Sequence, residues 1–374
     1  MVWRLLLAAQ IAWAADLPVG RIVNDVKCAA DATQGYALYL PSNYSTDRTW
    51  PVIFAFDPAA RGSLPVERYR DAAERYGYIV AGSNNSRNGP AQIGAQAAQA
   101  MFGDVGKHFP IDGRRIYLAG MSGGARVAMA EALGRPGIAG VIASSAGFPD
   151  SVPRKEVPFA VCGTAGTEDF NLMEMRLVDR TLKSAHRLLV FQGGHTWLSS
   201  EVAMQAVEWL EIQAVKSGSA AKSDRVEQIF AKRVAAVEAL ESEKDRYVAL
   251  LELAADFDGL KDVASFRERA ASMARSPKVR AGLKLERDEE SLERREMQEI
   301  LALEKQLGDS DQRMKALHDL RSAWRELLAA ANRADDSIER RTARRVLRGL
   351  YIGARERGGD ADYLKMLEEF RPPR

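Results

Sequence analysis

Residues 115–125 read Arg115-Ile-Tyr-Leu-Ala-Gly120-Met-Ser122-Gly-Gly-Ala125. An apolar run leads into Gly120-Met121-Ser122-Gly123-Gly124, and a helix-period segment follows over 125–133. This is the strand, tight turn and helix in which a G-x-S-x-G serine becomes a nucleophile. So sharp a change of direction forces Ser122 into a strained backbone conformation, and small neighbours keep the flanking chains from colliding. Gly120 and Gly124 supply that room. The plainer alternative is a glycine-rich turn that only joins a core strand to a core helix, so the partner residues decide.

A serine nucleophile needs a base, and the chain holds four histidines: His108, His186, His195 and His318. His108 and His186 sit at element ends with no glycine-rich turn beside them, and His318 lies on a polar stretch of a much later helix. His195 differs. An apolar strand over 186–192 ends in Gly193-Gly194, His195 follows at once, and an amphipathic helix begins near Leu198. A histidine on a loop at the carboxyl end of a strand can swing its ring over a nucleophile, as general-base catalysis requires. A carboxylate should then fix the imidazole tautomer. The loop Thr164-Ala-Gly-Thr-Glu168-Asp169-Phe-Asn, after the apolar run Phe159-Ala-Val-Cys-Gly, offers Asp169 as first choice, with Glu168 and then Asp150 as competitors. A plainer role for Asp169 is N-cap of a helix over 172–184.

In the order serine, aspartate, histidine, Gly120-Met121-Ser122-Gly123-Gly124, the loop around Asp169 and Gly193-Gly194-His195 resemble the α/β-hydrolase superfamily, within it the compact secreted esterases related to polyester depolymerases, feruloyl esterases and dienelactone hydrolases. The resemblance covers residues 36–216. It implies a mostly parallel sheet with helices on both faces and an acyl-enzyme mechanism, on esters first, with a serine peptidase or acyltransferase using the same triad, or a partner-binding helical protein with a degenerate hydrolase half, as alternatives. It also implies two backbone amides that stabilise a tetrahedral oxyanion. One is Gly123 N–H; the other belongs to the loop Asp57-Pro58-Ala59-Ala60-Arg61-Gly62, which departs from the histidine-glycine form common in that fold. Pro58 has no N–H, so Ala59 is expected to donate, with Asp57 as runner-up. Asn84 and Asn85, in the loop 84–89, and Trp197, beside the base, are expected to line the substrate site; for the asparagine loop a solvated turn is an equal alternative.

The sheet is expected without the resemblance as well. Apolar runs bounded by turn residues occur at 36–41, 51–57, 78–83, 115–120, 141–147, 159–163 and 187–192, and helix-period segments at 65–76, 91–109, 125–133, 172–184 and 198–215 separate most of them. Strands alternating with helices argue for a parallel α/β sheet, whose ligands bind beyond the carboxyl ends of the strands. The short intervals from Ser122 to Asp169 and on to His195 leave no room for a cap domain, so an open cleft suited to bulky or polymeric esters is expected.

Residues 1–14 read as a cleavable signal peptide: one positive charge at Arg4, an apolar run over 5–12 and the small-x-small Ala12-Trp13-Ala14 before Ala15. Export to a secreted or periplasmic location follows, with no transmembrane span. The two cysteines, Cys28 and Cys162, make no disulfide framework; export would allow them to pair, but Cys162 lies in a central strand, and buried free thiols are expected. With no metal-ligand cluster, phosphate-binding loop or dinucleotide fingerprint, no cofactor is implied, and a net charge of +2 carries no nucleic-acid signature. The α/β-hydrolase domain is expected over 15–216, a small polar linker over 217–223, and an all-α domain over 224–374. In the last, helical periodicity is broken near Phe257-Asp-Gly259, Ser276-Pro277, Gly308-Asp309 and Gly358-Gly359, which gives a bundle of about four to six antiparallel helices or a helical-repeat-like array. The highly charged segment 282–307 reads as a long solvated helix that spans the domain or reaches another subunit. The helical half is expected to serve oligomerisation or protein binding, and residues 15–223 to hydrolyse small esters alone.

Overall fold

Trp50–Phe56 is buried along its whole length, and so is Ala160–Gly166; continuous apolar runs of this kind belong to strands covered on both faces. They are β3 and β7 of an eight-stranded sheet in a computed structural model that describes residues 17–372. The other strands are β1 (Ile22–Cys28), β2 (Asp31–Tyr39), β4 (Ile79–Ser83), β5 (Ile111–Met121), β6 (Ile138–Ser144) and β8 (His186–Phe191). Their spatial order is β1-β2-β4-β3-β5-β6-β7-β8. The β1–β2 and β2–β4 ladders are antiparallel, and those from β4 through β3, β5 and β6 to β7 are parallel. Parallel neighbours need crossovers, and helices supply them: α1 (Ser63–Tyr76), α2 (Ala91–His108), α3 (Gly123–Gly134) and α4 (Leu172–Thr181), with α5 (Ser200–Lys216) after β8.

The sequence reading has no strand before residue 36, and the structure adds β1 and extends β2 back to Asp31. β1 is an edge strand whose ladder to β2 is interrupted by register shifts, and Asn24 and Asp25 are exposed, so it lacks the apolar run that marks the inner strands.

The chain divides into two compact units. Unit one takes the residues up to 165 together with 174–191 and 196–231; unit two takes 166–173, 192–195 and the residues from 232 on. The division is therefore not a single cut at the linker 217–223: the loops that continue β7 and β8 group with the helices. The proposed leader, residues 1–14, lies outside the described residues.

From residue 224 the chain forms α6 (Asp224–Ala239), α7 (Glu243–Phe257), α8 (Ala264–Met273), α9 (Pro277–Gln306), α10 (Arg313–Ala331), α11 (Ile338–Arg357) and α12 (Ala361–Leu367), closed by a 3-10 turn at Glu368–Phe370. That is seven α-helices among the described residues, more than the four to six expected. α9 starts where Pro277 takes the first helical position behind the Ser276 cap, and Ser337 and Asp360 cap α11 and α12. The core of unit two includes Leu320, Trp324, Leu327, Val346, Leu347, Leu350 and Phe370. The indole N–H of Trp324 donates to the Tyr363 hydroxyl at 3.1 Å, so the large ring is buried without an orphaned donor. α9 corrects the reading of 282–307 as a solvated helix, because Glu289 and Glu293 are buried and both accept hydrogen bonds from Arg345.

Candidate active site

Ser122 joins β5 to α3 with φ 54° and ψ −121°, a conformation that costs a non-glycine residue about 1–3 kcal/mol. Its own N–H donates to the Ser144 carbonyl on β6 at 2.8 Å, which ties the turn to the sheet. A Cβ on Gly120 would sit 2.1 Å from the Gly124 carbonyl oxygen, and one on Gly124 would sit 2.0 Å from the Phe56 carbonyl oxygen. Neither position tolerates a side chain, which is the physical content of the two flanking glycines. Gly123 is the first residue of α3, so the helix itself offers its N–H no acceptor.

The loop after β3 is organised around Asp57, which is fully buried. Its carboxylate accepts from Ala59 N–H at 2.8 Å, from Arg61 Nε and Nη2 at 2.9 Å each, and from the Trp197 indole at 2.7 Å. Burial alone would raise the Asp57 pKa, but the donors from Arg61, Trp197 and Ala59 outweigh it and hold the carboxyl below its usual value. Two expectations change here. Ala59 N–H, expected to face an oxyanion, is engaged by the Asp57 carboxylate of the same loop. Trp197, expected to meet substrate, is 4% exposed and packs edge-to-face against Tyr69.

Asn84 and Asn85 also have structural partners. Asn84 Nδ2 donates to the Asn24 carbonyl at 2.9 Å, while Asn85 accepts from Gly35 N–H at 2.8 Å and donates to the Thr33 carbonyl at 3.0 Å. Both brace the β1–β2 hairpin. The group at the elbow is Asn88: its Oδ1 lies so close to Gly123 that a Cβ there would stand 1.8 Å from it, and its N–H donates to the Pro58 carbonyl at 2.8 Å. Sequence reasoning included Asn88 in the loop without singling it out.

Unit two holds the loops after β7 and β8. His195 Nδ1 lies 2.8 Å from Asp169 Oδ1, which also accepts from Asn171 N–H at 2.9 Å. Asp169 is fully buried, and its Oδ2 has no hydrogen-bond partner, so this carboxylate is directed at the imidazole through one oxygen. The Phe170 ring stacks on the imidazole with centroids 4.1 Å apart. Glu168 N–H donates to the Gly193 carbonyl at 2.8 Å, which links the two loops directly. The competing carboxylates have other partners: Glu168 pairs with Arg340 and Arg344, and Asp150 forms a surface pair with Arg154 that lowers its pKa to about 2. Among the other histidines, His186 Nδ1 lies 2.8 Å from the Ser184 carbonyl and His108 lies 3.6 Å from Asp104. Cys28 and Cys162 are buried and are not joined in a disulfide.

No family model matches the chain, and neither does any curated protein. Among solved structures it is similar to a feruloyl esterase module from Clostridium thermocellum at 14% identity, over 50% of this chain and 85% of that one, with a TM-score of 0.40. It is also similar to an esterase from Pyrobaculum calidifontis at 13% identity, over 55% and 89% of the two chains, with a TM-score of 0.41. Est1E from Butyrivibrio proteoclasticus is similar at 14% identity, over 52% and 100%, with a TM-score of 0.41. In its strand order, its antiparallel second strand and the strained serine between β5 and α3, the sheet of this chain has the α/β-hydrolase fold, and an all-α region follows it.

Proposed function

We propose that the protein is a serine hydrolase that cleaves carboxylic esters through an acyl-enzyme, with Ser122 as nucleophile, His195 as base and Asp169 as the carboxylate that orients it. The observation that carries the reading is Ser122 itself, a non-glycine residue held at φ 54° between β5 and α3, because such strain persists where it presents a reacting group. The 2.8 Å contact between His195 Nδ1 and Asp169 supports it, since a carboxylate at Nδ1 leaves Nε2 to accept the serine proton.

In this mechanism Ser122 Oγ attacks the ester carbonyl as its proton passes to His195 Nε2. The Gly123 N–H, at the positive end of α3, and the side-chain amide of Asn88, turned so that Nδ2 faces the reacting oxygen, stabilise the oxyanion. Collapse expels the alcohol, which takes the proton from His195. Water then attacks the acyl-serine by the same route and releases the acid. The short segments between β6, β7 and β8 favour an open cleft and a bulky or polymeric ester, and the amino-terminal leader favours export.

Turnover of p-nitrophenyl acyl esters, compared with aminoacyl amides of matched side chain, tests the reading. The full chain should hydrolyse the esters, and Ser122→Ala and His195→Ala should each lose at least about a thousandfold in kcat. Preferential cleavage of the amides would make the protein a peptidase. Ester turnover that survives in Ser122→Ala would remove the serine mechanism.

A further inference from the structure

We propose that α11 positions the acid and base: Arg344 and Arg345 hold the loop 166–173 so that Asp169 and His195 keep their mutual geometry. The proposal rests on the assignment of those two residues under the proposed function. All the contacts that motivate it lie within unit two.

Three arginines of α11 take hold of the loop just before the proposed acid. Arg344 Nη1 donates to both oxygens of Glu168, at 3.0 and 2.8 Å, and Arg340 Nη2 donates to Glu168 Oε1 at 3.2 Å. Glu168 is the residue immediately before Asp169. Arg345 Nη1 donates to the Thr167 carbonyl at 2.6 Å, one residue further back. Arg345 is 1% exposed and has no freedom of its own: Nε is bound by Glu293 at 2.6 Å, while Nη2 is bound by Glu289 at 3.0 Å and by the Thr342 hydroxyl at 3.1 Å. A planar guanidinium with every edge engaged is a fixed bracket, which an ammonium on a flexible stem would not be.

The restraint extends from the acid to the base. Besides the Glu168 to Gly193 backbone bond, a Cβ on Gly166 would stand 2.3 Å from the Gly193 carbonyl oxygen, so the two loops run in contact. On the far side of the imidazole, Phe170 stacks on His195, and its Cβ lies 3.4 Å from where a Cβ on Gly349 of α11 would sit. One residue earlier, Arg348 Nη1 lies 4.0 Å from the corresponding point on Gly194. α11 thus bears on the residues before and after Asp169 and on the residue before His195. The Asp169 carboxylate is held through Oδ1, by Asn171 N–H and against His195, while its Oδ2 has no hydrogen bond. Catalytic side chains need support of this kind, because errors near 1 Å cost about a hundredfold in rate.

The test uses the full-length protein with Glu168→Gln, Arg344→Gln and Arg344→Lys; Arg345→Met is a fourth variant, but its two buried glutamates would lose their partner and the fold with it. Two quantities are read: kcat and KM on p-nitrophenyl acetate, and the exchange-protected downfield proton resonance of the His195 imidazole, assigned by its absence in His195→Ala. The second needs no turnover. Glu168→Gln and Arg344→Gln should each lower kcat about tenfold or more while KM stays within about twofold, and should broaden or abolish the imidazole proton. The double variant should be no worse than either single, and Arg344→Lys should recover part of kcat because it keeps the charge but loses the two-pronged grip. The proton resonance decides the proposal: retained unchanged in Glu168→Gln and Arg344→Gln, or missing from the wild type, it overturns the positioning role. Loss of the resonance in these variants, in a protein whose wild type turns over no ester, would keep the positioning and remove the hydrolase reading instead.

Discussion

The two units solve the problem of buried polarity differently. Behind the serine in unit one the strand ends β5, β6 and β7 are tied by neutral bonds of backbone and short side chains, Ser122 N–H on Ser144 carbonyl, Ser145 N–H on Thr164 carbonyl at 2.7 Å, and the Thr164 hydroxyl on the Ser144 hydroxyl at 2.8 Å, with one buried carboxylate, Asp57, on the neighbouring loop. In unit two the buried groups are ionic and come from distant helices, with Arg345 of α11 held between Glu289 and Glu293 of α9. A backbone network follows from the sheet register and tolerates side-chain change. An ion network depends on each member, because removal of one leaves the others charged and unpaired in a dry site. Sensitivity to single substitutions should therefore be concentrated differently in the two units.

The largest expected effect tests whether residues of the two units act as one chemical device. Ser122→Ala in unit one and His195→Ala in unit two should each cost at least about a thousandfold in kcat, and the double variant should lose no more than either single. Additive losses, measured by steady-state kinetics on one ester, would mean that the two residues serve separate steps. Next comes Trp324→Ala, which removes a fully buried ring from the core of unit two and should cost about 3–5 kcal/mol in denaturant unfolding. Ester turnover should be lost at the denaturant concentration where unit two unfolds, because the acid and base loops belong to it; turnover that outlasts that transition would separate the helices from catalysis.

Smaller effects distinguish the asparagines of the 84–89 loop. Asn88→Ala should lower kcat about a hundredfold if its amide faces the oxyanion. Asn84→Ala should leave kcat nearly unchanged and cost about 1 kcal/mol of stability for the lost bond to Asn24. The reverse ranking would put the substrate at the hairpin. The smallest effect concerns the cysteines. Burial, then the nearby Asp104 and Asp31, push the Cys28 thiol up to about 11, so near pH 8 it is protonated and unreactive. Iodoacetamide should alkylate neither buried thiol of the native protein and should leave activity intact, whereas both should react after unfolding; rapid native alkylation of Cys28 would contradict its burial.

What could be read from the sequence follows the same division. The inner strands were legible because a strand covered on both faces must be apolar throughout, and β8, although an edge strand, keeps the apolar run Leu188-Leu-Val-Phe191, so the ends of β5, β7 and β8 gave Ser122, Asp169 and His195 as candidates in chain order. Asp169 and His195 stand 2.8 Å apart. β1 was not legible, because Asn24, Asp25 and Lys27 break its sequence and leave no such run. Trp197 was misread for a related reason: an aromatic beside a histidine suggests a binding surface, but the indole has a buried carboxylate to satisfy, and nothing in the sequence announces that Asp57 is buried 140 positions away. The arginines of α11 were illegible for the same cause, with more than 170 positions separating Arg344 from Glu168. Glu289 and Glu293 did leave a trace, two carboxylates four residues apart on one helical face, but on a helix so charged that pattern also describes a solvated surface.

The most direct test of the account is the site at which a fluorophosphonate reacts. The full-length protein, treated with an alkyl fluorophosphonate and mapped by peptide mass spectrometry, should carry one adduct, on Ser122, formed far more slowly in His195→Ala and absent in Ser122→Ala. An unlabelled Ser122, or an adduct on another serine that persists in Ser122→Ala, would contradict it.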